Sequence, residues 1–443
     1  MKRILKADWV APMDRAGVGA LRGQSVAIDG DRILAIGTPA DLVIQHPDAM
    51  IEDLGDVVLL PGLVNPHTHL ELSDCKAGSP PACGFATWLL QLITRTANAG
   101  ATLPTLVDNA VAEGVSQCLR FGVTTVGDIT RQSTLTRPLL GQSPLRVTSY
   151  GEIQALAQRR GSLEERLAAA LDDAGATPRL RIGLTPHAPY TVEPAGYARC
   201  LAIARAASLP LATHLAESPD EATFLSCHTG PFRELWETLN AWDDRVPRFD
   251  GGPIRLAQSL GLLNYTTLLA HVNYCDDDEL AILAGGRASV VWCPRTHRYF
   301  GHPPHRWREM LARGINVAIG TDSCASSPDL NLVDDLRLAH EQSPERPIDE
   351  LWRMITVNAA RAMQAEEVGR IAPGRYADFV AFPANGDDPL RSILESAALP
   401  TAAWIGGAAL HPNLAAPPEF DELSRVAGRV SAIHPNAPRR RGG

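Results

Sequence analysis

The sequence predicts an α/β fold: a parallel (β/α)8 TIM barrel with a small β domain assembled from both ends of the chain. Three observations carry this prediction. Between residues 59 and 364, eight short apolar runs alternate with amphipathic segments of helical period. Runs one, four, five, six and eight end on histidine or aspartate, where a barrel carries its chemistry. Short strand patterns with glycine turns occupy the two ends of the chain. A doubly wound open sheet is the competing architecture, but its usual G-x-G-x-x-G turn is absent.

Taken in order, "SVAIDGDRILAIGTPADLV" sets Asp29-Gly30-Asp31 between two alternating apolar runs, a hairpin signal. The barrel strands follow as "VVLLPGLVN", "GVTTVGD", "LRVTSYGE", "LRIGLTPH", "LPLATHL", "TTLLAHV", "ASVVWCP" and "INVAIGTD". Helical segments such as "LEERLAAALDDAG" and "PAGYARCLAIARAAS" separate them. Residues 218–263 are long for a strand-to-strand connection, and "FRELWETLNAWDD" predicts a helical cap over the pocket. Phe232, Trp236 and Trp242 suit either packing of that cap or stacking on a ring. The acidic "DDDE" at 276–279 reads as a helix start. After the barrel, "VGRIAPGRYADFVAF" and "AAWIGGAAL" return to strands, so residues 1–58 and 365–443 make the composite β domain around a 59–364 barrel. The stretch "APPEFDELSRVAGRVSAIHPNAPRRRGG" reads as one helix and a loose tail.

Composition narrows the function. A formal net charge of −9 and no basic stripe argue against a nucleic-acid partner. No apolar stretch approaches the roughly 20 residues that span a bilayer, and no signal-peptide core opens the chain. Eight scattered cysteines without a C-x-x-C suit reduced thiols and a cytoplasmic enzyme.

The chemistry begins at "NPHTHLEL". His67 and His69 are two residues apart, so on a strand they share a face and can grip one ion. With 13 histidines in 443 residues, about 0.4 such pairs arise by chance, so the pair alone is weak. The other strand ends supply the rest: His187 in "TPHAPYT", His214 in "THLAE", His271 in "LLAHVN" and Asp322 in "GTDS". His67, His69, His214 and Asp322 offer three neutral imidazoles and one carboxylate, a set that favours Zn2+ and also fits Fe2+, with room for a water. The ion would bring that water towards ionisation at neutral pH and make a hydroxide nucleophile. The bland alternative is a set of satisfied polar groups at strand ends.

The segments "PGLVNPHTHLE", "THLAES", "LLAHVN", "GTDS" and "TVNAARAM…VGRIAPGRYADFV" together resemble the amidohydrolase superfamily over residues 50–382. The resemblance is to its mononuclear-metal branch of adenosine-, S-adenosylhomocysteine- and guanine-type deaminases and triazine chlorohydrolases. It implies a distorted barrel with a composite β-sandwich, metal ligands at His67, His69, His214 and Asp322, a proton shuttle at Glu217, His271 beside the attacking water, and Asp322 as the base. It also implies a homodimer. Binuclear relatives bridge two ions with a carbamylated lysine; here no lysine follows Lys76, so one metal is expected, with Glu152 the one glutamate placed to bridge.

A shuttle, a base and an activated water suit hydrolytic deamination of an aminopurine-type heterocycle with release of ammonia. Glu217 as a helix-start carboxylate is the structural alternative. "TPHAPYT" resembles the stretch that gives related deaminases a substrate-contacting histidine, which implicates His187. Those relatives hold the ribose with a glutamate for which "FATWLLQLITRTANAG" has no acidic counterpart. "HTHLELS", "GFATWLLQLI" with Trp88, "GPFRELWETL" and Glu152 instead resemble the group that includes 6-aminodeoxyfutalosine deaminases. In "CPRTHRYFGHPPHRW", Arg295, His297 and Tyr299 are expected to form a substrate lid, and His302 and His305 to be ordinary loop residues. Competing readings are a chlorohydrolase or cyclic amide hydrolase, and a non-catalytic barrel stabilised by metal. The small-molecule enzyme is favoured because Glu217 and His271 are present although neither is needed to hold an ion.

Overall fold

The structure is a computed structural model that describes residues 1–79 and 84–410. Its centre is eight parallel strands: β1 (Leu63–Thr68), β2 (Val123–Thr130), β3 (Arg146–Ile153), β4 (Leu180–Pro186), β5 (Leu211–Leu215), β6 (Thr267–His271), β7 (Ser289–Trp292) and β8 (Asn316–Ile319). Each pairs with the next in chain order. The circle nearly closes between β8 and β1, where Thr68 bridges Asp322 and the Asp322 N–H donates to the His67 carbonyl at 3.1 Å. The strands are buried on both faces, which is why they read as continuous apolar runs rather than alternating ones. Val64, Ile129, Tyr150, Ala212, Leu268 and Val291 fill the interior. This is a distorted (β/α)8 barrel, as expected.

Both ends of the chain build the remaining sheets. Four strands, Arg32–Gly37, Ser25–Asp29, Lys2–Lys6 and Met50–Asp53, form one. The Asp29-Gly30-Asp31 turn joins the first two, with Gly30 at φ +56° in the left-handed region that glycine tolerates. The second sheet sets Phe379–Pro383 antiparallel to Val57–Pro61. That pairing changes one expectation. The run "VVLLPGLVN" is two strands, the first in this outer sheet and the second β1 of the barrel. The chain changes sheets at Gly62, where a Cβ would lie 2.2 Å from the Thr124 hydroxyl, so only glycine passes.

Residues 218–263 contain the helices Asp220–Cys227, Pro231–Thr238 and Gly252–Ser259. The second packs near the long helix Phe85–Ala99 that follows β1; we call the long helix α1 and the cap helix α2. Phe232 and Trp236 lie in one buried cluster with Phe85 and Tyr190, and Trp242 packs beside them, so these rings build the cap. The acidic run starts helix Asp277–Ala284 with a reciprocal capping box between Asp276 and Glu279. The helix and tail expected over 416–443 fall outside the described residues.

Gly127 on β2 lets the chain pass close to β1: a Cβ there would sit 2.3 Å from the Pro66 carbonyl oxygen, next to His67. Backbone cannot swing aside as a side chain can. Gly127→Ala is expected to lower stability by about 1–3 kcal/mol in thermal unfolding, as overpacked sites do. An unchanged melting temperature would show that the seam yields freely.

Candidate active site

Barrel topology delivers the functional side chains to one rim. His67 lies near the end of β1 with His69 just beyond it, His214 and His271 lie at or near the ends of β5 and β6, and His187 and Asp322 follow β4 and β8. Glu152 is the penultimate residue of β3.

His67 is fully buried, and neither of its ring nitrogens has a hydrogen-bond partner. Its Nε2 lies 3.6 Å from Asp322 Oδ1, which is 3.4 Å from His69 Nε2. His69 Nε2 and His214 Nε2 face each other at 3.3 Å. On its far side, His214 Nδ1 is 3.2 Å from the His187 carbonyl, which can only accept. The proton therefore sits on Nδ1 and the Nε2 lone pair points inward. His69 is likewise hydrogen-bonded to the Ile129 backbone. Burial pushes His69 and His187 down to about 3, and holds His67, His214 and His271 well below the usual imidazole range. These rings are neutral, with lone pairs converging on one another and on a carboxylate. Two overlapping groups of such donors exist among the described residues: His67, His214 and His271, and His67, His69 and Asp322. The donor set fits a divalent cation, which satisfies what the protein leaves unpaired.

Asp322 is steadied on its other oxygen by the Ser326 hydroxyl at 3.0 Å, with Thr296 behind Ser326 at 2.8 Å. Burial raises its carboxyl to about 7. Asp322, His271, Val272 and Ala216 all have φ between +50° and +73°, so backbone strain gathers at this rim.

Glu217 stands beside the donor set. Its Oε1 is 3.3 Å from His271 Nε2, and its Oε2 accepts from the Tyr190 hydroxyl at 3.0 Å. Burial, with the Asp322 charge nearby, pushes its carboxyl well above the usual range. That shift favours the protonated form of the Glu217 carboxyl.

The cavity above these groups has two kinds of wall. Phe85, Trp88, Leu89, Leu92 and Ile93 of α1 form an apolar side, and Glu71, Arg131, Glu152 and Gln154 a polar one. Glu152 Oε1 accepts from Gln154 Nε2 at 2.7 Å, with Arg131 at 3.6 Å, and its Oε2 lies 3.9 Å from His187 Nε2. Burial raises Glu152 to about 7. His187 Nδ1 is hydrogen-bonded with the Thr191 hydroxyl at 2.8 Å, leaving Nε2 towards the cavity side.

Of the residues expected to contact substrate, Trp88, Glu152 and His187 line the cavity, and Arg295 and His297 do not. The Arg295 guanidinium bonds Asp335 at 2.8 Å and Asp329 at 2.7 Å, tying the loop after β7 to helix Leu332–Gln342. Two carboxylates and two carbonyls take four of its five N–H donors, and the Asp334 carboxylate lies 3.9 Å from the nitrogen that carries the fifth. Both His297 nitrogens are engaged, with Asn273 Oδ1 at 3.0 Å and the Pro303 carbonyl at 2.8 Å. The Tyr299 hydroxyl reaches the Ser79 carbonyl, away from the donor set. Sequence reasoning passed over Tyr190, Glu71, Arg131 and Gln154, although Tyr190 stands inside "TPHAPYT" and Glu71 inside "HTHLEL".

Comparison with known proteins adds the lineage. The model of the Amidohydrolase family matches residues 58–408. A Deinococcus radiodurans protein named aminodeoxyfutalosine deaminase is 30% identical over 346 residues, covering 74% of this chain and 78% of that one. The crystal structure of Helicobacter pylori aminofutalosine deaminase with methylthio-coformycin superposes with a TM-score of 0.81 at 22% identity, covering 92% of this chain and all of that one. An adenosine deaminase from Xanthomonas campestris with bound zinc superposes at 0.73 and 22% identity, over 97% of this chain and 98% of that one. Among the described residues no helix is long and apolar enough to cross a membrane.

A cation that binds the folded chain alone stabilises it by RT ln(1 + L/Kd), where L is the free cation concentration, and so by more as L exceeds Kd. Dialysis of the purified protein against a chelator is expected to lower the melting temperature, and one equivalent of zinc or iron to restore it. His67→Ala should bind less than about a tenth of the metal and show no such response; full metal content in that variant would remove His67 from the ligand set.

Proposed function

The chain belongs to the amidohydrolase family, and from that premise we propose that it is a hydrolytic deaminase of an aminopurine nucleoside. In this reading His67, His69, His214 and Asp322 hold one divalent cation, zinc by preference. One observation supports it above the others: Glu217, a proton-handling group that belongs to neither donor group, is buried against them with Oε1 3.3 Å from His271 Nε2.

A bound cation supplies Lewis acidity, which lowers the pKa of water towards neutrality. The chain's own residues do the rest. Glu217 gives its proton to the ring nitrogen beside the amino-bearing carbon, making that carbon a better electrophile. Asp322 takes one proton from the attacking water as the new C–O bond forms. His271 orients the water and supports its developing charge. Asp322 then passes its proton to the amino group, the C–N bond breaks, and ammonia leaves. Glu217 recovers a proton from the new hydroxyl, so the acid is restored and the product keeps one ring N–H.

Substrate class follows from the two cavity walls. The base lies at the donor set with His187 beside it, and the flat apolar side formed by Phe85, Trp88 and Leu92 takes a ring or a 5′ substituent. Glu152 accepts from sugar hydroxyls, since among the described residues its Oε2 has no hydrogen bond. The Deinococcus relative's name supports a nucleoside of this kind. Ammonia release over adenosine, 5′-methylthioadenosine, S-adenosylhomocysteine, guanine and aminodeoxyfutalosine tests the proposal directly, and silence on every member would overturn it.

Two substitutions probe the roles. Glu217→Gln should keep the metal and lose at least about 100-fold in kcat, the usual worth of an acid–base group. Glu152→Gln should raise KM for a ribonucleoside while sparing kcat. Because Glu152 ionises near about 7 and accepts better when charged, wild-type KM should fall as pH rises through 7. The Gln variant should lose that step, and a persistent step would assign it to another group.

A further inference from the structure

Tyr190 is fully buried, faces the cavity, and has a hydroxyl whose one hydrogen bond is to Glu217 Oε2 at 3.0 Å. Its ring is held unusually firmly. Phe232 of α2 stacks on it with centroids 4.0 Å apart and planes 8° from parallel. Phe85 of α1 and His187 meet it edge-on at 6.2 and 5.7 Å. A second residue of α2 fixes its backbone: the Trp236 indole N–H donates to the Tyr190 carbonyl at 2.8 Å. Burial pushes the phenol further above its ordinary range, so it stays protonated and can donate.

The backbone of Glu217 is fixed separately. Its N–H donates to Glu221 Oε2 at 3.0 Å, while Glu221 Oε1 takes the Ala216 N–H at 3.1 Å. Its carbonyl accepts from Asn273 Nδ2 at 3.0 Å. What these bonds leave free is the side chain. A glutamate has three rotatable bonds, and in a cavity it can turn its carboxyl away from the donor set at little cost. A misplacement of about 1 Å at a reacting group can cost about 100-fold in rate.

We infer that Tyr190 is a positioning residue for Glu217: its hydroxyl ties down Oε2 so that Oε1 faces His271 and the reacting atoms, and the cap helix α2 holds Tyr190 to that task. The inference rests on the reading of Glu217 as the proton shuttle. It makes α2 part of the catalytic apparatus without giving α2 any group that touches the reacting atoms.

Tyr190→Phe keeps every ring contact and removes only the tether. With the metal-loaded full-length protein and the nucleoside it deaminates fastest, kcat should fall about 10- to 100-fold. KM should stay within about twofold, and metal content and melting temperature should not change. The Tyr190→Phe/Glu217→Gln double variant should lose no more than Glu217→Gln alone, because groups that act as one unit are not additive. Phe232→Leu keeps the hydroxyl but loosens the ring, and should cost kcat by a smaller factor, again with KM unchanged. A crystal structure of Tyr190→Phe should show the Glu217 carboxylate turned from its 3.3 Å approach to His271. An unchanged kcat, a rise in KM alone, additive losses, or an unmoved carboxylate each overturns the inference. Wild-type kcat in Glu217→Gln would instead sink the shuttle reading beneath it, so the two failures are separable.

Discussion

One seam carries the site: the junction where the last barrel strand meets the first. The Asp322 N–H donates to the His67 carbonyl at 3.1 Å, and the Asn65 side chain binds Thr321 twice, giving a hydrogen bond to its hydroxyl at 2.8 Å and taking its N–H at 3.2 Å. These bonds set the carboxylate of β8 against the imidazoles of β1. Glycines make the approach possible on both sides of His67. A Cβ at Gly320 would meet the His67 Cβ at 3.0 Å, and one at Gly127 the Pro66 carbonyl at 2.3 Å. Without this junction the histidines of β1 and the aspartate beyond β8 would have no common centre.

The junction brings together groups that do not suit each other. His67 has two buried nitrogens without partners and His271 has one. A buried polar group left unpaired costs about 1–3 kcal/mol, and left-handed backbone at His271 and Asp322 adds strain. Each imidazole is forced neutral by burial, so none relieves the others by taking a proton. A shared cation would take one of the His67 nitrogens and offset part of this cost. The same arrangement is therefore expensive to fold empty and well prepared to bind, which is the balance expected of a catalytic centre rather than of a structural clasp.

Much of this was legible in the chain because a parallel barrel writes its chemistry at strand ends. His67, His69, His187, His214, His271 and Asp322 could each be read from an apolar run that stops on a donor, and all six reach the same rim. The strand order follows the chain order, so no long-range pairing had to be guessed. Arg295 and His297, expected at a substrate lid, bond neighbouring segments instead, for a physical reason. A polar side chain in a loop near a rim has two fates, facing substrate or bracing the loop, and the sequence does not show the acceptors. Three of those acceptors, Asp329, Asp335 and Asn273, lie on other segments of the chain, and the Pro303 carbonyl is brought back to His297 by the fold of its own loop. Tyr190 was missed from the opposite side: its role depends on Phe232 and Trp236, which reach it only through the fold of the cap.

The number of cations was argued from a missing residue, since no lysine after Lys76 can provide a carbamate bridge. The geometry adds an independent reason. Glu152, the glutamate placed to bridge in its stead, bonds Gln154 and has the Arg131 guanidinium 3.6 Å away. A second divalent ion at that carboxylate would sit against a fixed positive charge, which costs several kcal/mol in a buried setting of low effective dielectric. Neither donor group among the described residues includes Glu152, and both share His67. On the proposed reading, one side of the cavity would take a cation and the other the neutral hydroxyls of a sugar beside an arginine. That division of charge across one pocket would orient a nucleoside before any bond is made or broken.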